Sequence, residues 1–308
     1  MTSDAVPEHG PKRTMREHRG TIHLEDAEIL VHRAWPGNQH VLRIAAPQAA
    51  RRAEPGSFAH ITCHPSVPLR RPLSIMRADP DEGWIEFLYK PVGAGLAKLA
   101  ERRPGETLSV LAPIGRGFTP SPSRPRVVAI GGGVGIPPMI FAAERLEADE
   151  RFATPVVLMG SELPFPFELD EAPAALPGMP PDATAAMALL ESSGVPSRLA
   201  SRAGLAGAYR GFVTDLAREW LAAQPPGVLA ETQLLGCGPE PMLHALAKLA
   251  AELDLPCQLA LEEYMACGVG GCAGCAVRIE TPEGPAMKRV CVDGPVFDAR
   301  EVYPALFG

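Results

Sequence analysis

The stretch "CGVGGCAGC" begins at Cys267, and a further cysteine follows at Cys291, so the chain carries C-x4-C-x2-C-x15-C near its end. No other feature limits the fold as strongly, because three thiols in one glycine-rich loop and a fourth from a distant segment must be brought to one centre to act together. Zinc ribbons pair their cysteines as two short knuckles, each gripping one side of a tetrahedron. A single C-x2-C pair, Cys272 with Cys275, would suit thiol exchange instead. The full spacing matches the plant-type [2Fe–2S] pattern, in which a long loop wraps the cluster. Cys267, Cys272, Cys275 and Cys291 are then the ligands. Gly268, Gly270, Gly271 and Gly274 let the backbone close in, so that N–H groups can point at the negatively charged sulfides.

The remaining three of the seven cysteines, Cys63, Cys237 and Cys257, stand apart from the cluster. Crowding of this kind does not resemble the distributed disulfides of a secreted chain. Cys63 and Cys257 read as ordinary buried or half-buried thiols.

With 308 residues, 46% of them apolar, the chain has material for two or three folded domains. Its net charge of -7 argues against a nucleic-acid or anionic-lipid partner. The uncharged run 127–143 holds four glycines and two prolines, which makes a poor membrane span. The polar start, residues 1–20, has no apolar signal core and reads as a disordered tail on a cytoplasmic protein.

From residue 21 to about 122 the pattern is short β-type runs separated by turns. "EILVHRAW", "HVLRIAA", "FAHITCH", "WIEFLYK" and "TLSVLAP" are the strand candidates, and "GAGLAKLAERR" alone has helical spacing. Many strands with one helix predict a small antiparallel barrel. Residues 123–256 change character. In "SPSRPRVVAIGGGVGIPPMIFAAERLEA" a strand at 127–130 runs through glycines into a helix whose first turn accepts Pro137 and Pro138. The same sequence of strand, turn and helix recurs in "TQLLGCGPEPMLHALAKLAAEL", with "TPVVLMG" and "VPSRLAS" as further strands, so a parallel sheet with crossover helices is expected. The proline- and alanine-rich segment 163–196 reads in part as an inserted loop. Residues 257–308 form a third unit around the cysteines.

Two elements of the barrel suit a phosphate. "RRPLSIM", placed after a strand, sets Arg71 and Ser74 where charge and hydroxyl can grip a diphosphate. "LYKPVGAGLAKL" brings Gly93 and Gly95 to a helix start, an anion site by its free N–H groups, although an ordinary glycine turn would look the same. In the second unit, Gly131, Gly132, Gly133 and Gly135 of "AIGGGVGIPPM" depart from G-x-G-x-x-G, since Ile136 stands at the third glycine. Strand, glycine turn and helix still suit a nucleotide pyrophosphate. Cys237 and Gly238 lie at the carboxyl end of a later strand, where open parallel sheets place their ligands.

In this order the pieces resemble the ferredoxin reductase superfamily, and within it the electron-transfer subunits of NAD-dependent dihydroorotate dehydrogenases. "RRPLSI", "GAGL", "GGGVGIPPM", "CGPEPM", "LEEYMACGVGGCAGCAVRI" and "RVCVDGPVFDAREV" line up with that family over about residues 21–303. The resemblance implies an FAD-binding Greek-key barrel over 21–122, an NAD(P)-binding α/β domain over 123–256 and a [2Fe–2S] domain over 257–308. It assigns flavin contacts to Arg71, Pro72, Leu73 and Ser74, to Leu88, Tyr89 and Lys90, and to Gly95 with Leu96. It implies an FMN-bearing dihydroorotate dehydrogenase subunit as partner, usually in a heterotetramer, and a place in pyrimidine biosynthesis. Flavin converts a two-electron hydride exchange into one-electron transfers, so no acid or base residue is required. Cys237 is expected near the nicotinamide without a catalytic role.

Three positions depart from the family. Leu96 replaces a common threonine, Arg116 a frequent asparagine, and "ASRAG" at 200–204 an acidic "TDDGS". The last leaves two readings of nucleotide choice. Ser201 and Arg202 can accept the extra phosphate of NADP, or Arg202 is a solvated loop residue. A reductase subunit serving ferredoxin or a hydrogenase would carry the same motifs, and a zinc-stabilised adaptor stands as a non-enzymatic alternative.

Overall fold

The computed structural model describes residues 20–172 and 176–308. The tail expected over 1–20 therefore lies, except for Gly20, outside the described residues.

Six antiparallel strands close the first unit: β1 (His23–Trp35), β2 (Gln39–Ala45), β3 (Phe58–Ile61), β4 (Arg71–Asp79), β5 (Trp84–Tyr89) and β6 (Thr107–Ile114). Their order around the barrel is β1-β2-β5-β4-β3-β6, which leaves no open edge. A single turn, α1 (Pro47–Ala50), and the predicted helix, α2 (Gly93–Ala100), complete it. Alternating residues of each strand enter one core, among them Ile29, Ile44, Ile61, Ile75 and Phe87.

The sequence reading set "RRPLSIM" after a strand; it is itself the start of β4. Proline inside a run argues against a central strand, because it lacks the N–H that a ladder needs. Here Pro72 faces His60 of β3, while pairing with β5 begins only at Ile75. Pro72 thus occupies a stretch bonded on one side alone.

The second unit runs β7 (Arg126–Gly132), α3 (Ile136–Glu147), β8 (Val156–Gly160), β9 (Leu169–Glu171), β10 (Ala185–Met187), α4 (Ala188–Ser192), β11 (Ser197–Ala200), α5 (Val213–Ala222), α6 (Pro226–Ala230), β12 (Thr232–Cys237), α7 (Glu240–Glu252) and β13 (Cys257–Ala260). The sheet order is β11-β8-β7-β12-β13, all parallel, with one further antiparallel strand at the β13 edge. Segment 163–196, expected as a loop in part, holds the antiparallel pair β9–β10 and α4, with 173–175 outside the described residues.

The cysteine-rich tail supplies the hairpin β14 (Ala276–Thr281) and β15 (Gly284–Arg289), then β16 (Val296–Asp298) and α8 (Ala299–Val302). The edge strand of the large sheet is β16, which pairs Leu259 with Phe297. Cys257–Ala260 opens the tail in sequence but hydrogen-bonds as a parallel strand to β12.

Two contacts set the units against one another. Helix α3 lies against β4, with Phe141 in the barrel core and an Arg77–Glu144 ion pair of 2.7 Å between them. Strand β3 is buried on both faces: Ala59 and Ile61 enter the barrel core, whereas Phe58 packs with Cys275, Val290, Cys291 and Phe297 of the tail.

Candidate redox site at the junction of barrel, sheet and cysteine loop

The four cysteines lie as two pairs. Cys275 and Cys291, 3% and 0% exposed, have their sulfurs 3.3 Å apart in an apolar pocket shared with Phe58, Ile114 and Phe297. Cys267 and Cys272 lie toward solvent, the first half-buried and the second exposed. Backbone N–H groups of Gly271 and Cys272 donate to the Cys267 sulfur at 3.3 and 3.4 Å, and that of Gly274 to Cys272 at 3.4 Å. A mononuclear tetrahedral ion takes its four ligands about one centre. A two-iron cluster shares four cysteines between two irons, and two thiol pairs fit that distribution.

Burial opposes ionisation of Cys267, yet the N–H groups of Val269, Cys272 and Gly271, together with the Cys272 thiol, bring it down to about 7. Burial and the adjoining Cys275 push Cys291 up to about 12. Loading iron therefore displaces a firmly held proton from the inner pair, as metal binding to thiols does.

On the barrel, Leu73 and Ile75 point inward, while Pro72, Ser74 and Met76 face out, Met76 entering the core of the α/β unit. On β5, Phe87 and Tyr89 point inward and Leu88 outward beside Met76. The outer face of β4 and β5 thus carries Pro72, Ser74, Met76 and Leu88, of which Met76 and Leu88 pack against the α/β unit, and Lys90 follows β5 directly. Tyr89 has its ring in the barrel core, with its hydroxyl 2.9 Å from His32 Nε2. The Arg102 carbonyl can only accept, so His32 Nδ1–H donates to it at 2.7 Å and Nε2 accepts from Tyr89. Tyr89 and Leu73 can meet a ligand only through their backbone.

Arg71 lies over the first turn of α2. A Cβ placed on Gly95 would sit 2.7 Å from Arg71 Nε and 2.9 Å from its Cζ, so glycine is what lets the guanidinium rest on the helix start. The guanidinium is aimed by the carbonyls of Leu69 and Arg70, at 2.9 and 3.2 Å. Charge and unpaired helix N–H groups converge there, which is what a diphosphate needs. Leu96 packs its side chain toward the barrel core and leaves that role to the backbone.

Gly131, Gly132, Gly133 and Gly135 turn at the carboxyl end of β7, Gly133–Gly135 forming one 3-10 turn before α3. A side chain on Gly135 would run into the carbonyl of Cys237, so this turn and the Cys237–Gly238 turn pack backbone on backbone. The Cys237 thiol is fully buried, and burial, with the Glu262 carboxylate, raises it well above an ordinary thiol. At neutral pH it is a protonated, inert group, as expected for a residue without nucleophilic work. Ser201 is buried and its hydroxyl accepts from the Ala203 N–H at 3.1 Å. Arg202 pairs with Glu162 at 3.1 Å and lies over the Phe212 ring at 4.3 Å.

Two residues that the sequence reading passed over belong to this junction. Glu262 lies near Cys237, and His60 lies against the cysteine loop. A lone glutamate and a lone strand histidine carry no spacing signal, so only the fold brings them in.

The iron-sulfur cluster binding domain of dihydroorotate dehydrogenase B matches residues 262–303, which include all four cysteines. Three curated relatives carry the name dihydroorotate dehydrogenase B (NAD(+)), electron transfer subunit. That of Caldanaerobacter subterraneus is 32% identical over 82% of this chain and 88% of its own. Those of Bacillus caldolyticus and Geobacillus thermodenitrificans are 35% and 34% identical, covering 81% and 91% of this chain and 86% and 99% of theirs. Among solved structures, an NADH-dependent reduced ferredoxin-NADP oxidoreductase aligns with a TM-score of 0.71 at 24% identity, over 90% of each chain. Phthalate dioxygenase reductase aligns with a TM-score of 0.55 at 13% identity, over 84% of this chain and 87% of that one. Both share the fold.

Proposed function

The chain belongs to the family of dihydroorotate dehydrogenase B electron-transfer subunits, and from that membership we propose that it passes electrons between NAD(P) and a flavin-bearing dihydroorotate dehydrogenase subunit. FAD supplies the exchange between hydride and single electrons, and a [2Fe–2S] cluster carries single electrons onward. Arg71, the Gly93–Gly95 turn and Ser74 hold the flavin, with Pro72, Leu88 and Lys90 forming the surface against its ring system and Leu73, Tyr89 and Leu96 contributing backbone. The turn at Gly131–Gly135, closed by Cys237 and Gly238, receives the nucleotide. Cys267, Cys272, Cys275 and Cys291 hold the cluster.

One observation carries this reading. Ser74 of the flavin surface faces Phe58 across the β3–β4 ladder, and Phe58 packs onto the buried cysteine pair. Adjacent strands stand about 4.8 Å apart, so a single strand separates the two redox centres. In the same segment Cys272, Val269 and the 93% exposed Tyr264 all reach solvent. That segment is where the partner subunit docks. Among the described residues no helix is long and apolar enough to cross a membrane.

Dihydroorotate should bleach the flavin of this chain only when the FMN subunit is present, while the chain alone passes electrons from reduced nicotinamide to artificial dyes. Bleaching by dihydroorotate without the partner, or binding of a different redox protein in its place, would overturn the assignment.

The nucleotide is NAD. Ser201, one of the two groups able to grip a phosphate, is buried in its own turn, and Arg202 is already matched by a carboxylate. Because an exposed pair of this kind contributes only about 0–1 kcal/mol, Arg202→Ala should change the NADH-to-NADPH ratio of dye reduction by less than about fivefold. Selective loss of NADPH activity by tenfold or more would make Arg202 a phosphate ligand.

A further inference from the structure

His60 is 1% exposed, and neither ring nitrogen makes a hydrogen bond among the described residues. A buried polar group left this way is destabilising, so its placement needs a reason. It stands on β3 two residues from Phe58, hence on the face turned toward the cysteine loop. A Cβ on Gly268 would lie 2.7 Å from His60 Nδ1 and 3.2 Å from Cγ, and Gly268 has φ +67°. The loop backbone beside the ligand Cys267 therefore passes directly over the imidazole, at a point where only glycine fits. Behind the ring, His60 faces Pro72 of the flavin surface across the ladder, and its carbonyl accepts from Arg70 Nη1 at 3.3 Å. His60 is thus the one polar side chain of β3 placed between the flavin strand and the cysteine loop.

We propose that His60 is a positioning residue for the cluster: with the cluster in place its unpaired ring N–H bonds the Cys267–Gly268 backbone, seats the loop on the barrel next to the flavin strand, and thereby sets the reduction potential. A neutral imidazole retains one N–H to give. Groups that orient the ligands of a cluster, and dipoles near its sulfurs, govern its potential. The inference rests on the [2Fe–2S] reading above and adds a residue that the cysteine spacing does not contain.

The test uses the full chain carrying flavin and iron, with iron and sulfide content measured first and the cluster potential read by spin resonance. Wild-type chain without iron would end the parent reading, whatever His60 does. With the cluster present, His60→Phe keeps ring volume and loses the donor. At a fixed ambient potential, its reduced-to-oxidised ratio should fall at least about tenfold, which is 59 mV for a one-electron couple. His60→Gln, which keeps an N–H donor, should recover most of that shift. A wild-type potential and unchanged spectrum in His60→Phe would overturn the proposal. If His60→Phe fails to hold iron, His60→Gln, which keeps an N–H donor, should hold it at close to the wild-type level. Equal loss of iron in His60→Phe and His60→Gln would show that the donor does not seat the loop, and would also overturn it.

Discussion

Replacing Cys291 with alanine should strip the chain of iron, from about two atoms per chain to background, with loss of the cluster spectrum. Its sulfur is 0% exposed and 3.3 Å from that of Cys275, enclosed by Phe58, Val290 and Phe297. Among the described residues no spare cysteine stands near to replace it, since Cys63, Cys237 and Cys257 lie in other cores. Alanine would leave one iron with a single protein thiolate. The effect should reach beyond the metal. The β14–β15 hairpin is a two-stranded sheet of its own, marginal by itself, and the loop before it carries three of the four cysteines. Proteolysis within 262–290 should therefore quicken in Cys291→Ala while the barrel and sheet stay protected. Cys63→Ala is the control, because Cys63 lies wholly within the barrel core. Iron retained at wild-type level in Cys291→Ala, measured anaerobically with sulfide, would remove Cys291 from the ligand set.

Arg71→Ala should cost most of the flavin. The guanidinium rests on the α2 start and is fixed by the carbonyls of Leu69 and Arg70, so it is ordered before any ligand arrives. A hydrogen bond to a charged group contributes about 1.5–3 kcal/mol, which corresponds to a rise of about 10- to 150-fold in the flavin dissociation constant. Lysine restores charge without the planar fork and should recover only part of the loss. Gly95→Ala provides an independent approach to the same contact, since its methyl would press on the guanidinium from below. Flavin fluorescence after gel filtration measures all three. Retention of FAD at wild-type affinity in Arg71→Ala, with Gly95→Ala equally silent, would place the diphosphate elsewhere.

How much of this was legible beforehand depended on the range of each signal. The cysteine pattern was readable because three of the four share one loop, and spacing is a local property. Five barrel strands, the helix at Gly93 and both strand-turn-helix units of the sheet were readable from periodicity and from glycine and proline punctuation. Strand β4 was hidden by Pro72, whose acceptability depends on which neighbour bonds to it. Cys257–Ala260 could be placed with β12 only by seeing the sheet, since four residues carry no preference for one unit over another. The inward side of Tyr89 follows from the β5 register, a single-residue distinction that alternation alone leaves open.

The sequence by itself determined the class of protein and the chemistry of its ends: which thiols could hold a cluster, which glycines could admit a phosphate, and how many folding units there are. Those follow from short-range geometry, where residue type and spacing suffice. Tertiary structure decided how the centres meet. Phe58 and His60 come to lie between the flavin strand and the cysteine loop because β3 is covered on both faces. Arg202 and Ser201 were readable as phosphate ligands, and only the tertiary structure shows that Glu162 pairs with the first and that the second is buried in its own turn. Electron transfer depends on the separation of centres, and separation is set by packing among segments roughly 200 residues apart, which no local pattern records.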